Sequence, residues 1–456
     1  MTVLTKPFFT LVFAIADIAP LVIAVDLIGI LMLLFKERME PRTFVMWLMI
    51  ILVLPIAGFI LYLMFGCTVH ARHVFGRKRS AETAMFEGES DDAPEWISHE
   101  VRAVRSSGGD IMTAGNDARL IWSIEEGLDV ILADIGLAEK SVHIEMRAIP
   151  RGQVGERVVD ALEAAAKSGM DVRLLTDVRG FGRTRGARRV RAAGGRFETF
   201  HNPLYSTFNI KNVNRNTRHI SVIDGKVAYT GTDAVVRLEG PAAGRLERRF
   251  LADWAHATDT APMVPDGGPT PRGSDMVQIV SGGPDQCEGL GPMASAYEAT
   301  ISSAERTLLV SMPYMVPDEN MYNALRLARL SGVEVILMLP GHGRHWYQRW
   351  NSLSASSQMM SSGVKVYFTQ RRTRRCVMVA DGRLLAVGSS PFSILSMTRD
   401  FSTAALVCSE DVASVAEDEF RRELGSAVEC SPDDYRGRSF ADRVKVGLSR
   451  VMMFFN

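Results

Sequence analysis

The chain has 456 residues, with 52 basic and 52 acidic side chains, and therefore no formal net charge. This balance argues against a protein that binds nucleic acid through backbone phosphates, since such proteins carry an excess of Lys and Arg. Hydrophobic residues make up 47% and charged residues 23%, a composition that excludes a largely disordered chain. The five cysteines are far apart and form no Cys-x-x-Cys pair, which argues against a disulfide framework or a zinc site.

The N-terminal part contains two long apolar runs. Residues 8–35 are interrupted only by Asp17 and Asp26, and residues 44–67 contain no charged side chain. Each run is long enough for a helix across the roughly 30 Å hydrocarbon core of a bilayer. The first run is too long for a signal peptide and lacks a small-residue cleavage pattern. Residues 1–79 are therefore predicted to form a transmembrane hairpin, with helices at about 8–35 and 44–67.

Basic residues predict the orientation of this hairpin. A basic cluster follows the second run, whereas the basic residues between the runs are partly offset by acidic ones. The positive-inside rule then places the C-terminal part of the chain in the cytoplasm. The cluster comprises Arg72, Arg77, Lys78 and Arg79. Residues 80–117 are polar and are predicted to be a linker that contains a short helix near residues 96–105.

The rest of the chain contains an internal repeat. Residues 161–175 and 324–338 each read as an amphipathic helix, a Gly stop and a buried strand, and an apolar strand precedes each block. Residues 218–226 and 375–383 each read as a strand that ends in an Asp-Gly hairpin turn. The same supersecondary units therefore occur twice, in the same order.

This repeat predicts an α/β fold of two similar lobes. The lobes are expected at 118–259 and 275–435, and the Pro/Gly-rich segment 260–274 joins them. Two similar lobes imply a pseudo-twofold axis with a cleft between them, which is a natural place for a site. We expect residues 217–224 and 374–381 to meet near this axis.

The arrangement resembles the bacterial cardiolipin synthases of the phospholipase D superfamily. Residues 47–58 are similar to the second membrane helix of that family, and residues 313–317 and 339–340 are similar to later segments of it. The resemblance implies two phospholipase D-like lobes in a multi-pass protein of the bacterial plasma membrane. It implies no cofactor and no metal. Residues 436–456 are predicted to form a basic amphipathic segment in the membrane interface, although a helix packed on the lobe has the same pattern.

The family's reaction joins two phosphatidylglycerols and releases glycerol, and it needs one His-x-Lys-x-x-x-x-Asp motif in each lobe. One His attacks the phosphorus and forms a phosphohistidine. The other protonates the leaving alkoxide and then deprotonates the incoming alcohol. The two Lys hold the phosphate oxygens while charge redistributes.

Both motifs are degenerate in this sequence. Their His, Lys and Asp positions hold Thr217, His219 and Asp224 in the first lobe and Arg374, Cys376 and Asp381 in the second. A hydroxyl without a neighbouring base and a permanently protonated guanidinium do not replace two imidazoles. The two aspartates also have a structural reason to be present, because Asp-Gly favours a tight hairpin turn. Later positions that hold Asn or Glu in the family correspond here to Pro391, Asp400 and Ser402.

Two functions remain open at this stage. The first is a non-catalytic membrane protein that binds the head group of phosphatidylglycerol or cardiolipin, or a partner protein such as an active paralogue. Nucleic acid is not a partner in either function. The phosphate contacts of such a protein could come from a basic run, which otherwise is a solvated face. This run contains Arg371, Arg372, Arg374 and Arg375.

The second function is an active phosphatidyltransferase with a displaced nucleophile. His219 lies two residues beyond the usual nucleophile position on the same strand, and therefore on the same face. Its partner imidazole would be His342 or His345, in a loop that follows a strand of the second lobe.

Overall fold

The computed structural model describes most of the chain after residue 20. The described residues are Pro20, 22–35, 41–65, Phe75, Lys78, 92–177, 185–201, 214–263, 269–285, 291–342, 346–431 and 440–452. Those up to Phe75 belong to one compact unit, and Lys78 and all later described residues belong to a second.

The first unit contains the helices α1 (residues 22–35), α2 (Pro41–Val53) and α3 (Ala57–Phe65). The single helix predicted over 44–67 is thus two helices, because Pro55 has no N–H with which to continue the helical hydrogen bonds. Ile56 takes a positive φ of 61° at this break. Its N–H donates to the Asp26 carboxylate at 2.9 Å, so the acidic residue of α1 has a partner within the unit.

Apolar side chains lie both inside and outside this unit. Leu33, Trp47, Ile51 and Tyr62 form its core, where the Trp47 and Tyr62 rings meet edge to face with centroids 5.8 Å apart. Large apolar side chains elsewhere are exposed, among them Ile23, Leu27, Phe35, Met49, Leu52 and Leu63. No helix in the parts of the chain that the structure describes combines the length and the apolar character needed to cross a bilayer. Residues 8–19 of the first predicted span and 66–67 of the second lie outside the described residues.

The second unit is built on one large mixed β-sheet. Within the described residues, the strands of its first half are β1 (Met112–Ile121), β2 (Ser141–Met146), β3 (Asp171–Thr176), β4 (Arg196–Thr199), β5 (Ile220–Ile223), β6 (Val227–Gly231) and β7 (Val235–Glu239). Their order across the sheet is β1-β7-β6-β5-β2-β3-β4. β2, β3 and β4 run parallel, as βαβ units require, and the remaining pairs are antiparallel.

The second half continues the same sheet. Its described strands are β8 (Asp275–Gly282), β9 (Thr307–Ser311), β11 (Glu334–Pro340), β12 (Lys365–Thr369), β13 (Cys376–Ala380), β14 (Leu384–Gly388), β16 (Ser402–Cys408) and β17 (Val428–Glu429). Their order is β8-β16-β14-β13-β9-β11-β12-β17. The short strands β10 (Met315–Val316) and β15 (Phe392–Ser393) pair with each other in a separate parallel ribbon.

The two halves have the same topology. β8 corresponds to β1, β16 to β7, β14 to β6, β13 to β5, β9 to β2, β11 to β3 and β12 to β4, so the strand order is the same outwards from the middle in both directions. The halves join where β1 and β8 pair antiparallel, with an irregularity between Thr113 and Asn116. The predicted fold of two similar α/β lobes with pseudo-twofold symmetry is confirmed.

Helices cover this sheet and supply the core of each lobe. In chain order, those in the described residues are α4 (Ser98–Ser106), α5 (Ile124–Gly136), α6 (Gln153–Lys167), α7 (Arg185–Ala192), α8 (Pro241–Thr258), α9 (Gly291–Ser302), α10 (Glu319–Leu330), α11 (Trp346–Ser361), α12 (Ile394–Thr398), α13 (Glu410–Leu424) and α14 (Phe440–Met452). In α6, Val158, Val159 and Leu162 are buried because their spacing places them on one face. Met321 and Leu325 are buried in the same way on the equivalent helix, α10.

The segment before the first lobe is more ordered than a linker. Ile97, Val101 and Val104 follow a spacing of four and three residues, and all three lie in the core of the second lobe. A short 3₁₀ turn, Glu95–Ile97, leads into α4. β1 begins at Met112, within the region 80–117 that was predicted to be a linker, so the second half of that region is part of the folded body.

The two Asp-Gly turns have the same conformation in both lobes. Asp224 and Gly225 follow β5, Asp381 and Gly382 follow β13, and all four residues have φ between 53° and 66°. The Asp381 carboxylate accepts the backbone N–H groups of residues 305–307 at 2.7–2.8 Å. Asp224 makes the equivalent three bonds in the first lobe, at 2.7–2.9 Å. Each aspartate therefore fixes the start of the neighbouring strand, β2 or β9.

We expect Asp381→Ala to lower the free energy of unfolding by about 2–4 kcal/mol, because three bonds to a charged acceptor are lost and alanine disfavours positive φ. Asp381→Asn should cost less, since Asn tolerates positive φ and keeps one acceptor oxygen. The measurement is unfolding of the full chain in detergent, followed by circular dichroism. Equal midpoints for wild type and Asp381→Ala at pH 7 would contradict this role.

The same measurement has a defined pH dependence. Partial burial acts to raise the pKa of Asp381, but its backbone hydrogen bonds hold that pKa below the ordinary value. Its stabilisation is therefore present above the ordinary pKa of about 3.9 and is lost as the pH falls from there through the lower pKa of the folded state. The difference between wild type and Asp381→Ala should shrink accordingly below about pH 4.

Candidate functional site

The degenerate motifs of the two lobes begin at the lobe interface. Thr217, at the first His position, donates both its N–H and its hydroxyl to the Phe401 carbonyl of the second lobe, at 2.8 and 2.9 Å. Thr232 of the first lobe donates its hydroxyl to the Arg374 carbonyl at 2.5 Å. Each motif start is thus tied to the opposite lobe. The Thr217 hydroxyl is engaged as a donor to a carbonyl and has no base beside it in these contacts.

His219, at the first Lys position, is an isolated imidazole. Burial, together with the nearby Arg374 and Arg147, lowers its pKa to about 4, so the ring is neutral near pH 7. The remaining charged group that acts on it, within the described residues, is Asp233, and no second imidazole contacts it there. His342 is exposed just after β11, and His345 lies outside the described residues.

Arg374, at the second His position, is paired with a carboxylate of the first lobe. Its Nε lies 3.2 Å from Asp233 Oδ1, and its backbone N–H donates to Asp233 Oδ2 at 2.6 Å. Cys376, at the second Lys position, has a buried thiol whose pKa is raised by that burial. Because the thiol stays protonated, this position holds no charge that could stabilise a phosphate.

The four arginines of the basic run differ in their surroundings. Arg375 is buried, with its guanidinium 3.9 Å from the Trp122 ring centroid and 2.5 Å from the Glu423 carboxylate. Arg371 and Arg372 are exposed, and neither has an ion-pair partner among the described residues. Two of the four predicted phosphate-binding arginines therefore carry a carboxylate partner, and two present their charge to solvent.

Sequence reasoning missed the most buried charge of the first motif. Arg218, between Thr217 and His219, has no exposed surface. Its guanidinium donates to Asp253 of the first lobe at 2.5 Å and to the Gly282 and Ser402 carbonyls of the second at 3.1 and 3.4 Å. β5 begins only at Ile220, but burial already alternates before it: Arg218 is buried, whereas Thr217 and His219 on either side are partly exposed. Its position inside the motif was visible in the sequence, but nothing there indicated its burial.

Lys78 joins Arg218 in what we call the interlobe charge cluster, comprising Lys78, Glu145, Arg218, Asp253 and Asp285. The Lys78 ammonium lies 3.0 Å from Asp253 and 3.3 Å from Asp285, and all three side chains are buried. Burial lowers the pKa of Lys78, against the opposing effect of the two carboxylates. In the sequence, Lys78 is only one of the basic residues that predict the orientation of the N-terminal hairpin.

Glu145 completes the cluster as a carboxyl that holds its proton. Burial and the neighbouring Asp253 raise its pKa, whereas Arg218 and Lys78 hold the pKa of Asp253 below the ordinary value even though burial opposes them. Asn216 donates to Glu145 at 2.6 Å. Desolvation of two close carboxyl groups thus leaves one protonated and one charged. Asp400, at a position that holds another residue in the family, pairs with Arg215 at 3.0 Å across the same interface.

The arrangement binds and neutralises charge, and it lacks the parts of a phosphohistidine reaction at the motif positions. That reaction needs imidazoles on two sides of one phosphorus. The four motif positions supply one neutral imidazole, a guanidinium, a hydroxyl and a protonated thiol. In the described part of the chain, no group of three or more His, Cys, Asp or Glu side chains is arranged to hold a metal ion.

Known proteins are similar to this chain over nearly its whole length. Residues 297–424 match the family described as cardiolipin synthase, PLD-like domain, and residues 21–66 match the phospholipase D-nuclease N-terminal family. A cardiolipin synthase of Clostridium perfringens is 28% identical over 452 residues, which cover 91% of this chain and 94% of the relative. The major cardiolipin synthase ClsA of Bacillus subtilis is 27% identical over 465 residues, covering 92% and 95%.

The fold also has a solved counterpart. The chain is similar to phosphatidylserine synthase of Haemophilus influenzae, with a TM-score of 0.57 and 9% identity, over 82% of this chain and 97% of that one. At this identity the similarity shows the fold alone.

We expect Arg218→Met to lower the free energy of unfolding by about 3–5 kcal/mol, because buried Asp253 loses the guanidinium that pairs with it at 2.5 Å. Arg218→Met combined with Asp253→Asn should cost less than the sum of the single changes, since both charges are then removed together. The measurement is denaturant unfolding of the full chain in detergent.

Arg188→Gln is the matched control, because Arg188 is exposed and has no ion-pair partner in the described structure. We expect it to change the free energy of unfolding by less than about 0.5 kcal/mol. Strictly additive effects of the Arg218 and Asp253 changes would show that the two side chains do not act as a pair.

Proposed function

The chain belongs to the cardiolipin synthase family of the phospholipase D superfamily, and we propose that it is a non-catalytic member that binds phospholipid at a bacterial membrane. The observation that carries this proposal is the occupancy of the four positions that hold His and Lys in the family. They hold Thr217, His219, Arg374 and Cys376. Only His219 offers an imidazole, and it has no imidazole partner among the described residues. The family reaction uses two.

The proposed head-group contact is made by Arg371 and Arg372. Their guanidinium groups are exposed and unpaired within the described structure, so their donors are available to the phosphate of phosphatidylglycerol or cardiolipin. Arg374 and Arg375 contribute less, because each already has a carboxylate partner. Occupation of this surface by lipid without turnover would allow the protein to regulate an active paralogue in the same membrane.

Exposed apolar surface supports attachment to the membrane. The outer faces of α1, α2 and α3 carry large apolar side chains, which a water-soluble unit would bury. The C-terminal helix α14 adds a second apolar face: Phe440, Val444 and Leu448 are exposed at intervals of four residues, while Val446 and Ser449 on another face are buried. Both expectations for this helix are thus compatible, since one face is buried and another is free for the interface.

We propose that the N-terminal apolar segments form the membrane hairpin and that the two lobes are cytoplasmic. A green fluorescent protein fused after Asn456 should then fluoresce, and alkaline phosphatase fused at the same place should be inactive. If the phosphatase fusion is active and the fluorescent protein fusion does not fluoresce, the orientation is the reverse of the one proposed. Phosphatase fused within the loop between the two apolar runs, at residues 36–40, is the complementary control and should be active.

The absence of turnover is tested with phosphatidylglycerol. We expect the full chain, reconstituted in phosphatidylglycerol liposomes, to form no cardiolipin above protein-free liposomes when lipids are analysed by mass spectrometry. The Clostridium perfringens relative prepared in the same way is the positive control. Native mass spectrometry should still detect bound phosphatidylglycerol, and Arg371→Gln with Arg372→Gln should lower its occupancy, because two cationic phosphate contacts are lost.

Two controls make this test decisive. Arg326→Gln, at an exposed arginine without an ion-pair partner in the described structure, should leave lipid occupancy at the wild-type level. His219→Ala separates the two candidate functions. If the wild type forms cardiolipin and His219→Ala abolishes it, the displaced-nucleophile mechanism is correct and the non-catalytic proposal is refuted.

A further inference from the structure

A cavity that is lined by none of the motif residues lies at the outer edge of the first lobe. Its volume is about 630 Å³, within the range of about 300–1,000 Å³ that is typical of ligand sites. It opens between β4, the last strand of this lobe, and the C-terminal half of α8. β2 and β3 separate β4 from β5, the strand that lies within the first motif. No motif residue and no member of the interlobe charge cluster lines this cavity, and the argument for it does not depend on the proposed function.

One wall of the cavity is basic. It includes Arg173 of β3, Arg191 of α7 and Arg196 of β4. Asp171 lies 2.8 Å from Arg173 and 2.7 Å from Arg196, and the same carboxylate lies 3.6 Å from Nε2 of His143. A single negative charge is thus shared between two guanidinium groups and an imidazole.

The two outer arginines keep donors for a ligand. Arg191 bonds the Phe197 carbonyl and lies 3.4 Å from Glu198, and Arg196 bonds Asp171. Within the described protein, each of them uses only its Nη2 group in these bonds. A guanidinium has five N–H donors, and both side chains remain more than half exposed, at 54% and 56%. Three arginines facing two carboxylates leave an excess of positive charge at the cavity.

The wall formed by α8 is apolar and contacts the basic one, since the Arg173 guanidinium lies 5.7 Å from the centroid of the Trp254 ring. Leu251 and Trp254 share one face of α8, since they are three residues apart, and both are largely buried. Met263, at the mouth, is 61% exposed. An exposed, flexible thioether on a cavity rim is suited to contact an apolar group of variable shape.

From these two walls we propose that the cavity is a second binding site, for a phosphate group that carries an apolar chain, as in an anionic phospholipid. The phosphate is bound by Arg191 and Arg196, for which planar, bidentate recognition is favourable. The apolar part lies against Trp254 and Met263. Arg173, held by Asp171, contributes fixed positive charge behind them. A soluble phosphorylated compound offers the same phosphate, so the test must separate the two sources.

The test uses the full chain in phosphatidylcholine nanodiscs, titrated with dihexanoyl phosphatidylglycerol below its micellar concentration and followed by calorimetry. We expect Arg191→Gln with Arg196→Gln to weaken binding at least about tenfold, because two charge-assisted contacts with phosphate are lost. Met263→Ser should weaken binding of this lipid and leave binding of inorganic phosphate unchanged. Unfolding midpoints should stay close to the wild-type value, because all three side chains are exposed and the ion pairs of Arg191 and Arg196 at the surface contribute little to stability.

Arg188→Gln is the matched control for the Arg191 change, since it removes one positive charge from the same helix, α7, outside the cavity. It should leave binding unchanged. All titrations are repeated with Arg371→Gln and Arg372→Gln already present, which removes the head-group contact proposed above, so that the remaining binding reports on the cavity. Equal loss in the Arg188 variant would show non-specific attraction and would overturn the site. If inorganic phosphate binds as tightly as the lipid, the cavity is a site for free phosphate. If dihexanoyl phosphatidylcholine binds as tightly as dihexanoyl phosphatidylglycerol, the positive charge of the cavity does not select the ligand. Either result is independent of whether the protein forms cardiolipin.

Discussion

The buried guanidinium of Arg218 determines how the two lobes are placed against each other. Arg218 has no exposed surface, and the removal of a charged group from water costs several kcal/mol unless acceptors replace the water. Its acceptors come from both lobes: the Asp253 carboxylate in the first, and two backbone carbonyls in the second. Only one relative placement of the lobes satisfies all of them. That placement also brings Thr217 to the Phe401 carbonyl and Arg374 to Asp233.

The segment that carries the first motif therefore has two faces, one that joins the lobes and one at the position of the family's catalytic residues. The joining of lobes needs groups whose charge is fixed, and Arg218 meets this need on the buried face. Phosphoryl transfer needs groups that exchange protons near neutral pH, on the other face. There, Arg374 stays protonated, and burial raises the pKa of the Cys376 thiol so that it stays protonated too. The fold can thus be stable without residues that exchange protons at the motif positions, because its stability depends on Arg218 on the opposite face of the segment.

The parts of the structure that could be predicted are those encoded locally. The helix–Gly–strand blocks and the Asp-Gly turns each fit within a short window, so their repetition revealed two lobes and the place of Asp224 and Asp381. The interlobe charge cluster could not be predicted, because the acceptors of Arg218 are 35, 64 and 184 residues away, and an acidic residue gives no sign of its burial in a sequence. The break at Pro55 had a local signal, which the length of the apolar run outweighed. The basic cavity was missed because its walls come from separate elements that only the β3–β4 edge brings together.

The pairing of β1 with β8 has a consequence for the order in which the chain matures on the ribosome. β1 is complete at Ile121, but its partner β8 ends at Gly282, and the Ser402 carbonyl that accepts from Arg218 is made later still. At cellular rates of about 5–20 residues per second, translation over that interval takes on the order of tens of seconds. Throughout this time the emerging first lobe has an unpaired sheet edge and a guanidinium without its second-lobe acceptors. The contacts that complete the first lobe thus form only after most of the second has been synthesised.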